Sequence, residues 1–293
     1  MTKAKPRYAF QHPGLDRADE LRSDEAVLAQ LWSEARILVL DIEGQARGCG
    51  DPESLRFPSA VDLFPERPAD AIFLGRGDGE QAWFALPAAA LIDVPEHACD
   101  LRSAASQWPA FEASVFAQVR ALLYWRERNK FCGACGDRLE ARRGGHMLLC
   151  PGCGLEHYPR TDPAIIVAVS DGERLLLGRQ ASWPDGRWSV LAGFMEPGES
   201  LEQTVAREVF EEAGVRIRSA SYAASQPWPF PSALMVGFRA EADPQPAQAG
   251  AELEAAQWFS AAELRAQIAS GAIISSPRMS ISRWLIDDWL AHH

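Results

Sequence analysis

Two cysteine pairs constrain this chain more than any other feature: Cys132-Gly-Ala-Cys135 and Cys150-Pro-Gly-Cys153, with 14 residues between them. A Cys-x-x-Cys segment closes into a tight knuckle that aims two thiolates at one point, and glycine within each knuckle favours that turn. The intervening stretch contains Gly144-Gly145 and returns as a hairpin, bringing the four sulfurs together. Four thiolates complete a closed tetrahedral Zn²⁺ site. Four protein ligands leave no open position for water or substrate, so the expected zinc is structural. It supplies on the order of 10–16 kcal/mol to a module too small to build its own core. A redox Cys-x-x-Cys is the alternative, which two pairs at this spacing disfavour.

The rest of the 293-residue chain is long enough for two modest domains beside that module. No segment repeats at a fixed period. The start, MTKAKPRYAFQHPG, has no apolar core of a secretory signal, and the longest apolar run, Ala85–Ile92, is far shorter than a membrane helix needs. A soluble, cytoplasmic protein is expected, so the paired cysteines read as metal ligands rather than disulfides; Cys49 and Cys99 stand alone. The net charge of −11 argues against bulk nucleic-acid binding. Between Arg120 and Arg160 eight basic residues face four acids, an asymmetry that an ordinary solvated surface explains.

Residues 1–125 read as an α/β scaffold or dimerisation domain, with short strands at Arg36–Asp41, Ala71–Arg76 and Gln81–Pro87. Phe111, Val115, Val119 and Leu122 then recur at helical spacing. The cysteine module occupies 126–160. Residues 161–293 carry a hairpin (Ala164–Ser170 and Arg174–Gln180 around Asp171-Gly172), a strand at Trp188–Phe194 and a helix near Leu201–Ala213. Strands at Ala233–Ala242 and Ala255–Ser260 and helices near Ala261–Ala269 and Ser280–Ala291 follow. Helices mixed with mainly antiparallel strands give an α+β class.

The segment Gly193–Val215 carries the chemistry. A Gly/Pro loop leads into a helix with Ser200 as N-cap, Gln203 as its capping-box partner and Gly214 at the C-terminal cap. Glu208, Glu211 and Glu212 share one helical face with no lysine interleaved. Like charges at that spacing repel, and clustered carboxylates invite a hard divalent cation such as Mg²⁺ or Mn²⁺. The segment resembles the Nudix box, G-x5-E-x7-R-E-U-x-E-E-x-G-U, at Gly193, Glu199, Arg207, Glu208, Val209, Glu211, Glu212, Gly214 and Val215. The resemblance implies an α/β/α sandwich that hydrolyses a nucleoside diphosphate linked to another group. It implies Glu208, Glu211 and Glu212 as catalytic metal ligands and Glu212 in activating water. Arg207 would hold the glutamates, Glu199 would organise the loop, and the Ala192 carbonyl would be a further ligand.

Downstream, Ser225-Gln-Pro-Trp228-Pro-Phe230-Pro-Ser232-Ala233 is a stiff, extended segment. Its rings read equally as stacking platforms or as plugs over the core. It resembles the SQPWPFPxS signature of the NADH pyrophosphatase family of Nudix hydrolases, with Ala233 in place of the last serine, and that family also has a zinc ribbon ahead of its Nudix domain. The resemblance implies hydrolysis of the pyrophosphate of NADH or NAD⁺ to NMNH or NMN and AMP, and by extension removal of NAD caps from RNA. It implies a homodimer and places substrate contacts at Phe194, Trp228, Tyr158, Ser232 and Ser282. The distal metal glutamate would be Glu252, with Glu254 the alternative. For Phe194 and Tyr158 core packing is the competing reading. Another specificity, such as ADP-ribose or diadenosine polyphosphates, and a non-catalytic zinc-ribbon binding module are the remaining alternatives.

Overall fold

The computed structural model describes residues 8–48, 57–92, 94 and 96–293, and the chain divides into two compact units. One comprises Tyr8 with residues 162–228 and 233–293; the other comprises residues 9–161 with Pro229–Ser232.

The N-terminal part of the second unit contains α1 (Glu25–Trp32), β1 (Arg36–Leu40), β2 (Ala46–Gly48), α2 (Ala60–Leu63), β3 (Ile72–Arg76), β4 (Ala82–Pro87) and β5 (His97–Cys99). Two helices follow, α3 (Leu101–Gln107) and α4 (Ala110–Arg128). The strands expected from sequence fall where their apolar runs put them; α1 and α3, not anticipated, begin at Asp24 and Asp100, whose carboxylates accept from the free backbone N–H groups of the first turn. One face of the sheet packs Ile37, Val39, Phe73, Phe84 and Leu86 against Leu28 and Trp32 of α1.

The cysteine module forms a small sheet of β6 (Glu140–Arg142), β7 (Met147–Leu149) and β8 (Glu156–His157). Its Arg143–His146 tip docks on β3: His146 Nε2 lies 2.6 Å from the Phe73 carbonyl, and Arg143 pairs with Asp19 at 2.8 Å. Burial pushes the His146 pKa down to about 4, so the ring is neutral. Gly144 and Gly145 take left-handed φ values of +57° and +90°, and a Cβ on either would press on Phe73 or Ile72. This packing makes the module part of the same compact unit as the N-terminal sheet.

The other unit contains β9 (Asp162–Ser170), β10 (Arg174–Arg179), β11 (Leu191–Phe194), α5 (Leu201–Ala213), β12 (Ile217–Trp228), β13 (Ala233–Ala242), β14 (Ala255–Ser260), α6 (Ala261–Ser270) and α7 (Ile281–His292). The central strand β9 is apolar from Pro163 to Val169 because both its faces are covered there. Ile165, Val167 and Val169 meet Val205, Val209 and Ala213 of α5, while Ile166 and Ala168 face the side packed with Leu264 of α6 and Leu285 and Trp289 of α7. The result is the expected α/β/α sandwich.

Two local readings change. The strand expected at Trp188–Phe194 begins only at Leu191, because Ser189 is bridged to Gly178 and Arg187 to Ile274. The long strand β12 was not anticipated. It lies at the sheet edge, where Pro227 is tolerated, and register shifts at Ile217/Ser219 and Tyr222/Ala224 break the two-residue alternation that reveals a strand.

The two sheets share one topology. The order β3-β4-β1-β2-β5 matches β12-β13-β9-β10-β14 strand for strand, with the parallel pair β1/β4 corresponding to β9/β13 and every other pair antiparallel. Each sheet is followed by two helices, α3 and α4 in one case, α6 and α7 in the other. The N-terminal copy has only the one-turn α2 among its described residues where the other has β11 and α5.

Candidate active site

The helix α5 is fixed at both ends by its own sequence. Ser200 and Gln203 form a reciprocal capping box, and Gly214 closes the last turn with φ +67°. Val205, Val209 and Ala213 pin one face to the sheet, which turns Glu208 and Glu212 inward, to 13% and 6% exposure. Glu211 stays at the rim with 57% of its side chain exposed, so the three carboxylates expected on one face are not equivalent.

Arg207 is the hub. It donates from Nε and Nη2 to the two oxygens of Glu199 (2.6 and 2.9 Å), from Nη1 to Glu208 (2.9 Å) and Glu211 (3.0 Å), and from Nη2 to the Phe194 carbonyl (2.9 Å). The planar fork of guanidinium suits this bidentate grip. Glu199 also accepts from the Thr204 hydroxyl and the Glu196 N–H, which tightens the loop. Hydrogen bonds from Arg207 and from the Glu196 backbone hold its pKa down at about 2, and Arg207 is pushed up in turn, chiefly by Glu199.

Glu208 lies directly against Gly193 of β11: a Cβ there would sit 1.9–2.2 Å from the carboxylate atoms. Burial raises the Glu208 pKa, with Arg207 opposing. Burial, then the charges of Glu208 and Glu252, push Glu212 up to about 7, although the backbone of Ala192 donates to it. Glu212 Oε2 is buried and has no hydrogen-bond partner among the described residues. A buried, partnerless carboxylate oxygen beside like charges is what a cation would satisfy, and an all-oxygen donor set suits a hard divalent ion. Glu208, Glu212, Glu252 and the rim Glu211 fit that requirement.

Glu252 reaches this cluster by a route the sequence hid. Neither Glu252 nor Glu254 lies in a strand; β14 starts at Ala255, so the expected comparison of strand neighbours does not apply. Glu254 is paired with Arg179 at 2.7 Å, whereas the charge of Glu252 acts on both Glu208 and Glu212. The approach is set by the preceding segment. Gln248 and Gly250 donate to the carbonyls of Ala213 and Glu212 at the end of α5, and a Cβ on Gly250 would fall 2.0 Å from the Glu211 carbonyl. Gly250 was the overlooked signal.

The residues expected to contact substrate are scattered in kind. Phe194 ends β11 with its ring 59% exposed, so it is not core packing. Tyr158 is also exposed and donates to Glu156 within the ribbon. Trp228 closes β12 opposite Ala233 and is half-buried; Ser232 is a half-buried turn residue. Ala233 is itself buried in β13, so a serine hydroxyl there would point into the interior. Ser282 is 5% exposed, and its hydroxyl sits between those of Ser189 (2.7 Å) and Ser276 (3.0 Å), at the first turn of α7. Gln226, unremarked in the sequence, is fully buried and ties β12 to the start of α7 through Met279 and Ile281.

The four cysteine sulfurs lie within 4.8 Å of one another, with Cys132–Cys153 at 3.7 Å and Cys135–Cys150 at 3.3 Å. That is close to the edge of a tetrahedron of thiolates about 2.3 Å from a zinc ion and too long for a disulfide. The two knuckles are twins: Cys132 N–H bonds Asp137 and Gly136 N–H returns to Cys132, while Cys150 N–H bonds Leu155 and Gly154 N–H returns to Cys150. The glycines that need left-handed φ are Gly136 (+85°) and Gly154 (+74°), just after each pair, not those inside it as expected from sequence. Backbone N–H groups of Ala134 and Cys135 hold the Cys132 thiol down at about 6, which favours the thiolate. This is a four-cysteine zinc site. No helix among the described residues is long and apolar enough to cross a membrane.

Comparison with known proteins covers almost the whole chain. Residues 159–278 match the family described as "NUDIX domain", residues 127–158 the "NADH pyrophosphatase zinc ribbon domain", and residues 5–125 the "NADH pyrophosphatase-like rudimentary NUDIX domain". The last agrees with the duplicated strand order. The "NAD-capped RNA hydrolase NudC" of Mycobacterium bovis is 38% identical over 293 residues, covering 95% of this chain and 93% of that protein. Its namesake from Mycobacterium tuberculosis is 37% identical over the same shares. The human "NAD(P)H pyrophosphatase NUDT13, mitochondrial" is 34% identical over 255 residues, covering 77% of this chain and 72% of that one.

Proposed function

The chain belongs to the NADH pyrophosphatase family of Nudix hydrolases, and on that premise we propose that it hydrolyses the pyrophosphate of NADH and NAD⁺, giving AMP and NMNH or NMN. The observation that carries the reading is Glu212: a buried carboxylate with a partnerless Oε2, raised toward neutrality beside Glu208 and Glu252. Glu208, Glu211, Glu212, Glu252 and the Ala192 carbonyl are assigned to hold the divalent cation, Mg²⁺ or Mn²⁺ by the hardness of their oxygens. When bound, that cation neutralises charge on the pyrophosphate and lowers the pKa of an attacking water. Glu212 receives the proton of that water at its carboxylate. Arg207, fixed by Glu199, keeps Glu208 and Glu211 from drifting, and Gly193 lets Glu208 approach the strand.

Phe194, at the end of the strand that carries Gly193, offers an exposed ring for the nicotinamide, and Trp228 is assigned to the same half of the substrate, with Tyr158 and Ser232 as further contacts. The working form is a homodimer in the cytoplasm, where zinc thiolates stay reduced. A second reading uses the same bond: removal of NAD caps from RNA, supported by the names of the mycobacterial relatives. Product analysis with NADH, NAD⁺, ADP-ribose and NAD-capped RNA in Mg²⁺ or Mn²⁺ tests both readings. AMP and NMNH from NADH are expected; release of free nicotinamide, or no cleavage of NADH, refutes the assignment.

A further inference from the structure

The tip of the β12–β13 hairpin, Pro229–Ser232, packs with the N-terminal domain's compact unit. Two arginines of that domain hold it. Arg120, midway along α4, donates from Nε to the Pro229 carbonyl at 3.0 Å and from Nη1 to the carbonyls of Gly44 (2.7 Å) and Glu43 (3.3 Å). The guanidinium carbons of Arg102, on α3, and Arg120 lie 4.2 and 5.4 Å from the centre of the Phe230 ring.

The arrangement is costly for a mere surface contact. Arg120 is partly desolvated and sits beside a second cation, Arg102, both of which lower its pKa, while the nearby charges of Asp100 and Asp41 oppose the shift. It forms no ion pair with any described carboxylate and gives its hydrogen bonds to backbone carbonyls alone. Gly44 takes a left-handed φ of +74°, and a Cβ there would also displace the Arg120 guanidinium, lying 2.1 Å from its Nη1. Bringing two guanidinium groups to one ring carries a Coulomb cost that Asp100 and Asp41 offset in part, and both cations face the Phe230 ring.

We propose that Arg102 and Arg120 are positioning residues: by clamping Phe230 they fix the hairpin tip and, two residues away, the Trp228 ring that discriminates the nicotinamide half of the substrate. The N-terminal domain, a copy of the Nudix topology whose described residues lack the acidic helix, thereby serves specificity rather than chemistry. The proposal rests on the NADH reading above and on Trp228 facing the nicotinamide.

The test uses the full-length protein with its zinc. Phe230→Leu removes the ring and keeps apolar bulk; Arg120→Met and Arg102→Met remove the cations and keep the stems; Phe230→Tyr keeps the ring. Each is assayed for KM and kcat on NADH and on ADP-ribose, and for backbone hydrogen exchange across residues 225–233. Loss of a cation–π contact of ordinary strength is expected to raise KM for NADH about three- to tenfold. The ADP-ribose constants stay within about twofold, exchange at the tip speeds by a similar factor, and Phe230→Tyr behaves as wild type. Unchanged exchange refutes the clamp. Faster exchange with unchanged KM for NADH, or with equal rises on both substrates, refutes the positioning role. A wild-type protein that does not cleave NADH refutes the function reading and the specificity role with it, while exchange still decides the clamp. Should Arg120→Met not fold, Arg102→Met and Phe230→Leu carry the same comparison.

Discussion

Replacing Gly193 with alanine adds one methyl group at the point where the active helix meets the sheet. The new Cβ would lie 1.9 Å from Glu208 Cδ and 2.1–2.2 Å from its oxygens, where ordinary contact begins near 3.4 Å. The carboxylate must therefore retreat by about 1.2–1.5 Å. The 2.9 Å bond from Arg207 does not survive a shift of that size unless Arg207 moves as well, and Arg207 is tethered to Glu199, Glu211 and the Phe194 carbonyl. Misplacement of a reacting group by about 1 Å costs on the order of 10²-fold in rate, so kcat/KM for NADH is expected to fall at least that far, about 2.7 kcal/mol of transition-state stabilisation. The fold itself should hardly notice. Gly193 is a paired strand residue outside the left-handed region, and alanine in a strand is favoured over glycine by roughly 0.5–1 kcal/mol, which offsets part of the lost hydrogen bond. Steady-state kinetics in Mg²⁺ and a thermal melt on the same preparation decide it. A variant whose kcat/KM stays within about threefold would show that Glu208 does not need to be where the structure holds it; a variant that loses activity only because it unfolds would equally defeat the argument. Gly198→Ala is the control: its φ of +96° makes alanine strained, but no atom lies within 4 Å, so stability rather than rate should suffer.

Glu212→Gln should reduce turnover by orders of magnitude with the fold intact, measured by single-turnover NADH hydrolysis. The same variant tests the raised pKa. In the metal-free protein Glu212 binds its proton more tightly folded than unfolded, so its charging destabilises the native state as pH rises from about 4.5 to about 7. Wild type should therefore lose on the order of 3 kcal/mol across that window relative to Glu212→Gln, and chemical denaturation at the two pH values reads the difference. Cys132→Ser or Cys150→Ser should release zinc and lower the melting temperature, because the docked Arg143–His146 tip loses its support; a zinc-free variant that melts normally would contradict a structural role. Trp228→Ala should depress kcat/KM for NADH about tenfold or more while affecting ADP-ribose little; equal losses would make the ring a packing residue.

What the sequence alone determined is what short-range physics decides. The bounds of α5 follow from a capping box and a C-terminal glycine that act within one turn. The grouping of Glu208 and Glu212 follows from helical periodicity, the zinc site from four cysteines on two knuckles, and the buried centre of β9 from an unbroken apolar run. Tertiary structure decided whatever depends on partners distant in the chain. That Glu252 rather than Glu254 acts on Glu208 and Glu212 goes with Gly250 meeting the end of α5, and the exposure of Glu211 depends on how α5 is rotated against the sheet. Ser282 is buried where Ser189, 93 residues earlier, meets it, and Phe230 acquired its arginines because Arg120, 109 residues before Pro229, reaches that carbonyl. The shared topology of the two sheets was invisible as a sequence repeat because strand order is a property of pairing: any residues that alternate suitably and fill the core satisfy it, so both sheets have one strand order while, among the described residues, only the second has the acidic helix.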